Sequence, residues 1–457
     1  MERSYAERYS DFATRLTYDA IPRPVVAHAK SLVLDSIGIT LASTKKLFAE
    51  VFPDTVLAMG GTPESSVVGR TEMVPAPNAA LANGTLAHFL DFDDSHLKSG
   101  THNGATAVPT TLAVGEGLCV HGRDALTALV AGLEVMTRVG STLLNFHDKG
   151  FHATGIVGPF GAAVIASKLM SLSSFQLTTA QGICGSQAAA LMECRYDGTM
   201  VKRMHPGWSA HAGILAARLA EKGFTGPRTV YEGHFGLYRS HLGEGTFDPA
   251  EVDSLGQVWE TLDCLIKPYP CSHYLHPYLD AAKSIRESEG FDSSQVESVE
   301  LLVSKTGASL TCEAPSVQPP PETPYVAQFS LRYAVALMLH TGRARLEDFQ
   351  EPTIRDPAIT ALGRRISHTV TDELSFAGKP YYSGWIKVRM KDGRMLEEFQ
   401  EFNRGSRQNP MSREEVESKF LANAAPVVGR ERAEAVLEAV TGLEDFEITD
   451  LAALLRF

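Results

Sequence analysis

Apolar residues recur at helical spacing through most of the first ~260 positions of the chain. Val26, Ala29, Val33 and Ile37 mark one such segment, with Pro24 near its start, where a missing N–H is harmless. Leu126, Leu129, Val130, Leu133 and Val139 mark another. Small residues dominate Gly161-Ala162-Ala163, Ala188-Ala189-Ala190 and Ala216-Ala217. Small side chains let helices approach closely, so this region is expected to be a tight all-helical bundle. Ser65-Ser66-Val67-Val68-Gly69 is the exception, either a strand or an extended link.

The pattern changes after Lys267. Val299, Leu301 and Val303 alternate with polar neighbours, the period of a half-buried strand. A helix is expected through Phe329, Tyr333, Ala334, Ala336 and Leu337. Ile386, Val388 and Met390 then alternate with Lys387, Arg389 and Lys391, and Asp392-Gly393 follows as a type I′ hairpin turn. Ser412-Arg413-Glu414-Glu415 is a capping-box pattern that opens a helical tail. The fold class is therefore mainly α with an α+β insert. A large all-helical domain would be built from residues 1–264 and 400–457, with a smaller α+β domain over 265–399.

Of the 457 residues, 44% are hydrophobic and 21% charged, as in an ordinary globular protein. A formal net charge of -12 argues against nucleic acid and against anionic membranes as partners. An anionic substrate would need a local cluster of Lys, Arg or His. The N-terminus lacks a secretory h-region, and no apolar run approaches the roughly 18 residues of a membrane span. Cytoplasm is the expected compartment. The six cysteines form no C-x-x-C pair and are expected to be buried, reduced thiols. No phosphate loop, H-E-x-x-H or G-x-S-x-G is present, and Gly115-Glu116-Gly117 lacks the preceding strand a dinucleotide fold needs. Neither cofactor nor metal is expected. Proton chemistry by side chains is what remains.

Two short stretches carry candidates for it. Leu90-Asp91-Phe92-Asp93-Asp94-Ser95-His96, followed by His102, sets acids beside imidazoles, where a carboxylate can orient a ring and raise its basicity. Capping and solvated charge are the alternative for any one of those acids. The second stretch runs Asp197-Gly198-Thr199-Met200-Val201-Lys202-Arg203-Met204-His205, a cationic pair between glycines that would let a small anion approach. His152 precedes a glycine-rich turn into a helix. His205, Trp208 and His211 read as structural, with buried rings. Lys267-Pro268-Tyr269-Pro270-Cys271-Ser272-His273 marks the junction between bundle and insert.

On these residues the chain resembles the MmgE/PrpD family. Gly223-Phe224-Thr225-Gly226-Pro227 extends the resemblance, which runs in order over nearly the whole sequence. The resemblance implies a homodimer in which the smaller domain acts as a lid, with a metal-free pocket at the domain seam. It implies that Asp91, His102, His152, Lys202 and Lys267 line that pocket. Ser95 stands where relatives often have threonine, and Ser272, beside His273, occupies a place that is histidine in animal cis-aconitate decarboxylases.

The activity so implied is a metal-independent lyase acting on a small di- or tricarboxylate, by dehydration of the 2-methylcitrate type or decarboxylation of the cis-aconitate type. His102 and His152 would exchange protons, with Asp91 orienting an imidazole. Lys202 and Lys267, with Arg203, Ser95, Ser272 and His273, would bind the substrate. Two alternatives stay open: epimerisation of a dicarboxylate of the iminodisuccinate type, and a non-catalytic metabolite-binding or structural protein.

Overall fold

The computed structural model describes residues 3–143, 149–194, 199–242, 250–374 and 381–457. The fold is mainly α, with an α+β insert. Residues Met1–Ile266 and Ser412–Phe457 make one unit, and Lys267–Met411 the other.

In the first unit, Ser4 opens α1 (Tyr5–Arg15) with a capping box closed by Glu7. Helix α2 (Arg23–Ser43) has its proline in the first turn and is buried along most of its length. By length and composition α2 could cross a membrane, which amends the reading that no apolar run approaches a span. Its apolar window is 78% buried within the protein, as in a core helix. The segment after it holds a two-residue strand, β1 (Ser65–Ser66), antiparallel to β2 (Met73–Val74).

Then come α3 (Ala76–Ala87), β3 (Ser95–His96), α4 (Gly104–Gly117), α5 (Gly122–Ser141), α6 (Ala153–Leu169), α7 (Ser174–Cys184) and α8 (His205–Glu221). Near residue 265 the chain returns to pair β4 (Cys264–Leu265) with β3, Ser95 opposite Leu265 and His96 opposite Cys264. Helix α8 is central, packed on α3 and α6. A Cβ on Gly207 would stand 2.2 Å from the Leu81 carbonyl oxygen, and one on Gly213 2.4 Å from Ala162 Cβ. Ala188–Ala190, in contrast, is not helical. It follows the end of α7 outside any helix or strand, and the Ala190 carbonyl accepts from His152 N–H at 3.1 Å.

The second unit packs α9 (His276–Glu287) and α10 (Leu331–Thr341) on a four-stranded sheet. The strands are β5 (Val296–Val303), β6 (Ile366–Val370), β7 (Gly384–Met390) and β8 (Met395–Gln400), in the order β6-β5-β7-β8. Only β5–β6 is parallel. Val299, Leu301, Val303, Ile386, Val388 and Met390 form its buried face, as alternation requires. Ser330 caps α10, so Phe329 lies just outside the helix.

The β7–β8 turn differs from the expected type I′. Gly393 N–H donates to the Met390 carbonyl and Gly393 takes φ +90°, but Asp392 does not have positive φ. The connection is a type I turn closed by a left-handed glycine, which a three-residue loop favours. Residues 400–411 lie with the second unit, beyond the limit of 399 drawn from sequence: Arg404 N–H donates to Asp280, and Asn403 bonds His273. The chain then re-enters the first unit through α11 (Arg413–Val428), whose Ser412–Glu415 capping box forms, and α12 (Arg430–Thr441). Cys119 is exposed, unlike the other five thiols.

Candidate active site

Helix α3 ends at His88, and the chain turns sharply through Asp91, which adopts φ +50°. A non-glycine residue there is strained and persists only when its surroundings fix it. Lys202 does part of this. It lies in the short 3₁₀ turn Val201–Met204 before α8 and sets its Nζ 3.2 Å from Asp91 Oδ1, both side chains buried. Lys419, from α11, holds the next residue through the Phe92 carbonyl.

The acidic stretch divides its labour. Asp93 accepts from His88 Nδ1 at 2.8 Å and lies 3.3 Å from His102 Nδ1. Asp94 closes the start of α4, accepting from Gly104 N–H at 2.7 Å, and its carbonyl faces His102 Nδ1 at 3.0 Å. Because a carboxylate and a carbonyl can only accept, Nδ1 is the protonated nitrogen of both rings. The His102 backbone is held in turn by Thr154 Oγ1, and the loop before it by the His96–Ser99 and Thr101–Asn103 side-chain bonds.

His152 caps α6 and bonds His205 through their Nδ1 atoms, 3.0 Å apart. The rings of His88, His102 and His152 lie close together, with centroids 4.6 Å, 5.8 Å and 5.9 Å apart. One ring nitrogen of each falls within 4.8 Å of the others, and His88, Asp91, Asp93 and His102 meet the same limit. These are the described groups placed to hold a metal ion.

Burial keeps the His88 imidazole below its ordinary range, helped by Lys202 and opposed by Asp93. His152 is pushed well below by burial, then by Lys202 and the neighbouring rings, and His205 falls to about 4 through burial and Lys202. Burial alone would raise Asp93, but the N–H groups of His88 and His102 hold its carboxyl well below the usual range. At neutral pH the site thus holds an ionised Asp93 beside neutral His88 and His152. A neutral imidazole can take a proton from carbon, and an imidazole backed by a carboxylate can give one.

Of the residues singled out in the sequence, Asp91, His102, His152 and Lys202 converge here. Ser95 is buried in β3. Arg203 stacks its guanidinium 4.3 Å from the Phe89 ring centre. Asp197 and Gly198 lie outside the described residues. Lys267, Ser272 and His273 belong to the second unit, where Lys267 and His273 are buried and Ser272 N–H donates to the Gln328 carbonyl. Cys271 is packed in that unit's core.

Sequence reasoning passed over His88, whose only signal was its place just ahead of the acidic stretch. His205 is the buried, hydrogen-bonded ring that was expected, and its partner is His152. Trp208 is 37% exposed and stacks on His211, so it is not the buried ring expected. The turn of α8 that buries His205 points Trp208 outward.

Residues 7–250 match the MmgE/PrpD N-terminal domain model and residues 269–445 the C-terminal one. The chain belongs to the MmgE/PrpD family. Among similar members is the cis-aconitate decarboxylase of Aspergillus terreus, 26% identical over 97% of this chain and 94% of the relative. The human cis-aconitate decarboxylase is 28% identical over 98% and 93%. A 2-methylcitrate dehydratase of Cupriavidus necator is 22% identical over 86% and 82%. These MmgE/PrpD relatives span nearly the whole chain, both units included.

Proposed function

We propose that the protein is a lyase that removes carbon dioxide or water from a small di- or tricarboxylate, with cis-aconitate as the first substrate to test. The observation that carries this reading is a buried amine, Lys202, set among His88, His102 and His152 beside ionised Asp93. In an acidic protein, the Lys202 ammonium is a buried cation with which a substrate carboxylate can pair, and the rings beside it supply proton donors and acceptors. The similarity to decarboxylases over both units supports it.

Lys202 binds a substrate carboxylate, competing with Asp91 for that anion's place. In decarboxylation the C–C bond to the departing carboxylate breaks, its electron pair stays on the substrate, and His102 delivers a proton to the carbanion. In dehydration neutral His152 removes the proton α to a carboxylate while His102 protonates the leaving hydroxyl. Both steps need the second carboxylate as electron sink. Lys267 is assigned a carboxylate on the strength of its motif alone, as are Ser272 and His273. Membership of the family supports a homodimer, which light scattering would measure.

Proton NMR of purified protein with cis-aconitate, 2-methylcitrate and iminodisuccinate tests the reading. Release of carbon dioxide, or loss of water, with new vinyl signals is the expected result. Deuterium exchange without net loss would replace it with epimerisation, and inertness toward all three would reject it.

A further inference from the structure

Each of the three clustered imidazoles has its Nδ1 engaged from behind: His88 by Asp93, His102 by the Asp94 carbonyl and Asp93, and His152 by His205. With Nδ1 of His88 and His102 facing acceptors, the nitrogen each ring has left to bind a metal is Nε2. His88 Nε2 is fully buried and has no hydrogen-bond partner among the described residues. An orphaned acceptor in a buried polar setting calls for a ligand. Zinc-binding histidines are held in just this way, with a carboxylate or carbonyl on the far nitrogen fixing tautomer and orientation.

We propose that His88, His102 and His152 form a binding site for a zinc-type divalent cation, and that the ion inhibits the enzyme. One nitrogen of each ring lies within 4.8 Å of the others, and metal–nitrogen bonds of about 2.05 Å in a tetrahedron require a spacing of about 3.3 Å. Binding the ion would require the rings to turn to that spacing, His152 giving up the 3.5 Å contact of its Nε2 with Thr154 Oγ1. The fourth position stays open to water.

Among the described residues, Asp91 and Asp93 face the site and favour a dication, and Lys202 opposes it. That opposition makes Lys202 the discriminating residue: it helps a carboxylate and hinders a metal. Inhibition follows because the ion would occupy ring nitrogens that His102 and His152 need to exchange protons. This second half rests on the function proposed above, whereas binding itself does not.

The test uses the full-length, chelator-stripped protein titrated with Co²⁺ by visible absorption, with Zn²⁺ as displacing ion. One Co²⁺ per chain with the strong bands of four-coordination is expected, and Zn²⁺ should erase them. Asp93→Asn should weaken binding about 10–100-fold through loss of the carboxylate behind His88. His88→Asn should abolish it, with circular dichroism checking that both variants fold. Lys202→Met should bind Co²⁺ several-fold tighter while losing affinity for cis-aconitate. Absence of saturable Co²⁺ binding, or wild-type binding by folded His88→Asn, overturns the site. Unchanged or increased turnover at a Zn²⁺ concentration that fills it overturns the inhibition. Co²⁺ binding in a protein inert toward every polycarboxylate would reject the proposed function and leave the metal site standing.

Discussion

Lys419, in the helix contributed by the C-terminal segment, donates to the Phe92 carbonyl at 3.1 Å, fixing the turn that carries Asp91 and Asp93. Its ammonium also sits 2.6 Å from Asp35 and 3.7 Å from the Phe92 ring centre. Asp35 is on α2, so one cation ties the two ends of the chain to the acidic turn. Lys419→Met would leave a buried carboxylate without its counter-ion, a loss of about 3–5 kcal/mol. Urea denaturation should show that loss, and the double variant Lys419→Met/Asp35→Asn should recover much of it. No recovery would mean that the pair is not the source.

The proposed acid and base can be separated kinetically. Removing a general acid or base lowers turnover about 10²–10⁴-fold. His102→Asn and His152→Asn should each lower kcat in that range with cis-aconitate, with KM little changed. Lys202→Ala should instead raise KM, because it removes binding to the carboxylate. Full turnover in a folded His102→Asn variant would reject the role given to that ring.

The buried histidines also set a pH dependence of stability. The folded protein holds His88, His152 and His205 below the ordinary imidazole value, His205 at about 4. On acidification the unfolded chain takes up these protons first. Stability is therefore intact above about pH 6.5 and falls as the pH drops from there through 4. Urea midpoints measured from pH 8 to pH 4 should decline across that window, and less steeply in a His205→Asn variant. A flat profile would contradict the burial of these rings.

Legibility of the sequence followed the range of the interactions. Strand alternation at Val299–Val303 and the capping box at Ser412 are local, and both elements form as read. The turn at Asp392-Gly393 was legible as a turn but not in type, because loop length rather than the dipeptide alone selects the backbone. Asp91, His102, His152 and Lys202 stood out as ionisable residues in apolar surroundings. Their sorting did not: nothing local tells that Asp94 caps a helix while Asp93 backs two imidazoles. His88 escaped notice because its partners come from an acidic turn, a later loop and another helix start, all brought together only by packing.

One close helix crossing bears directly on the site. Helix α8 begins with His205, just after Lys202, and its Gly207 faces α3, which ends at His88. A methyl group at Gly207 would meet the Leu81 carbonyl at 2.2 Å, Thr85 Oγ1 at 2.6 Å and Thr85 N at 2.8 Å. Two of these are backbone atoms within a helix, so the clash can be relieved only by moving α3 and α8 apart. Overpacking of this kind costs about 1–3 kcal/mol or more. Gly207→Ala should therefore lower Tm and, where the protein still folds, reduce kcat by displacing Lys202 and His205 from Asp91 and His152. As a control, alanine at Gly393, where φ is +90° but no atom lies within 4 Å, should strain the hairpin and leave turnover unchanged. Wild-type Tm and kcat in Gly207→Ala would show that the two helices do not need their close approach.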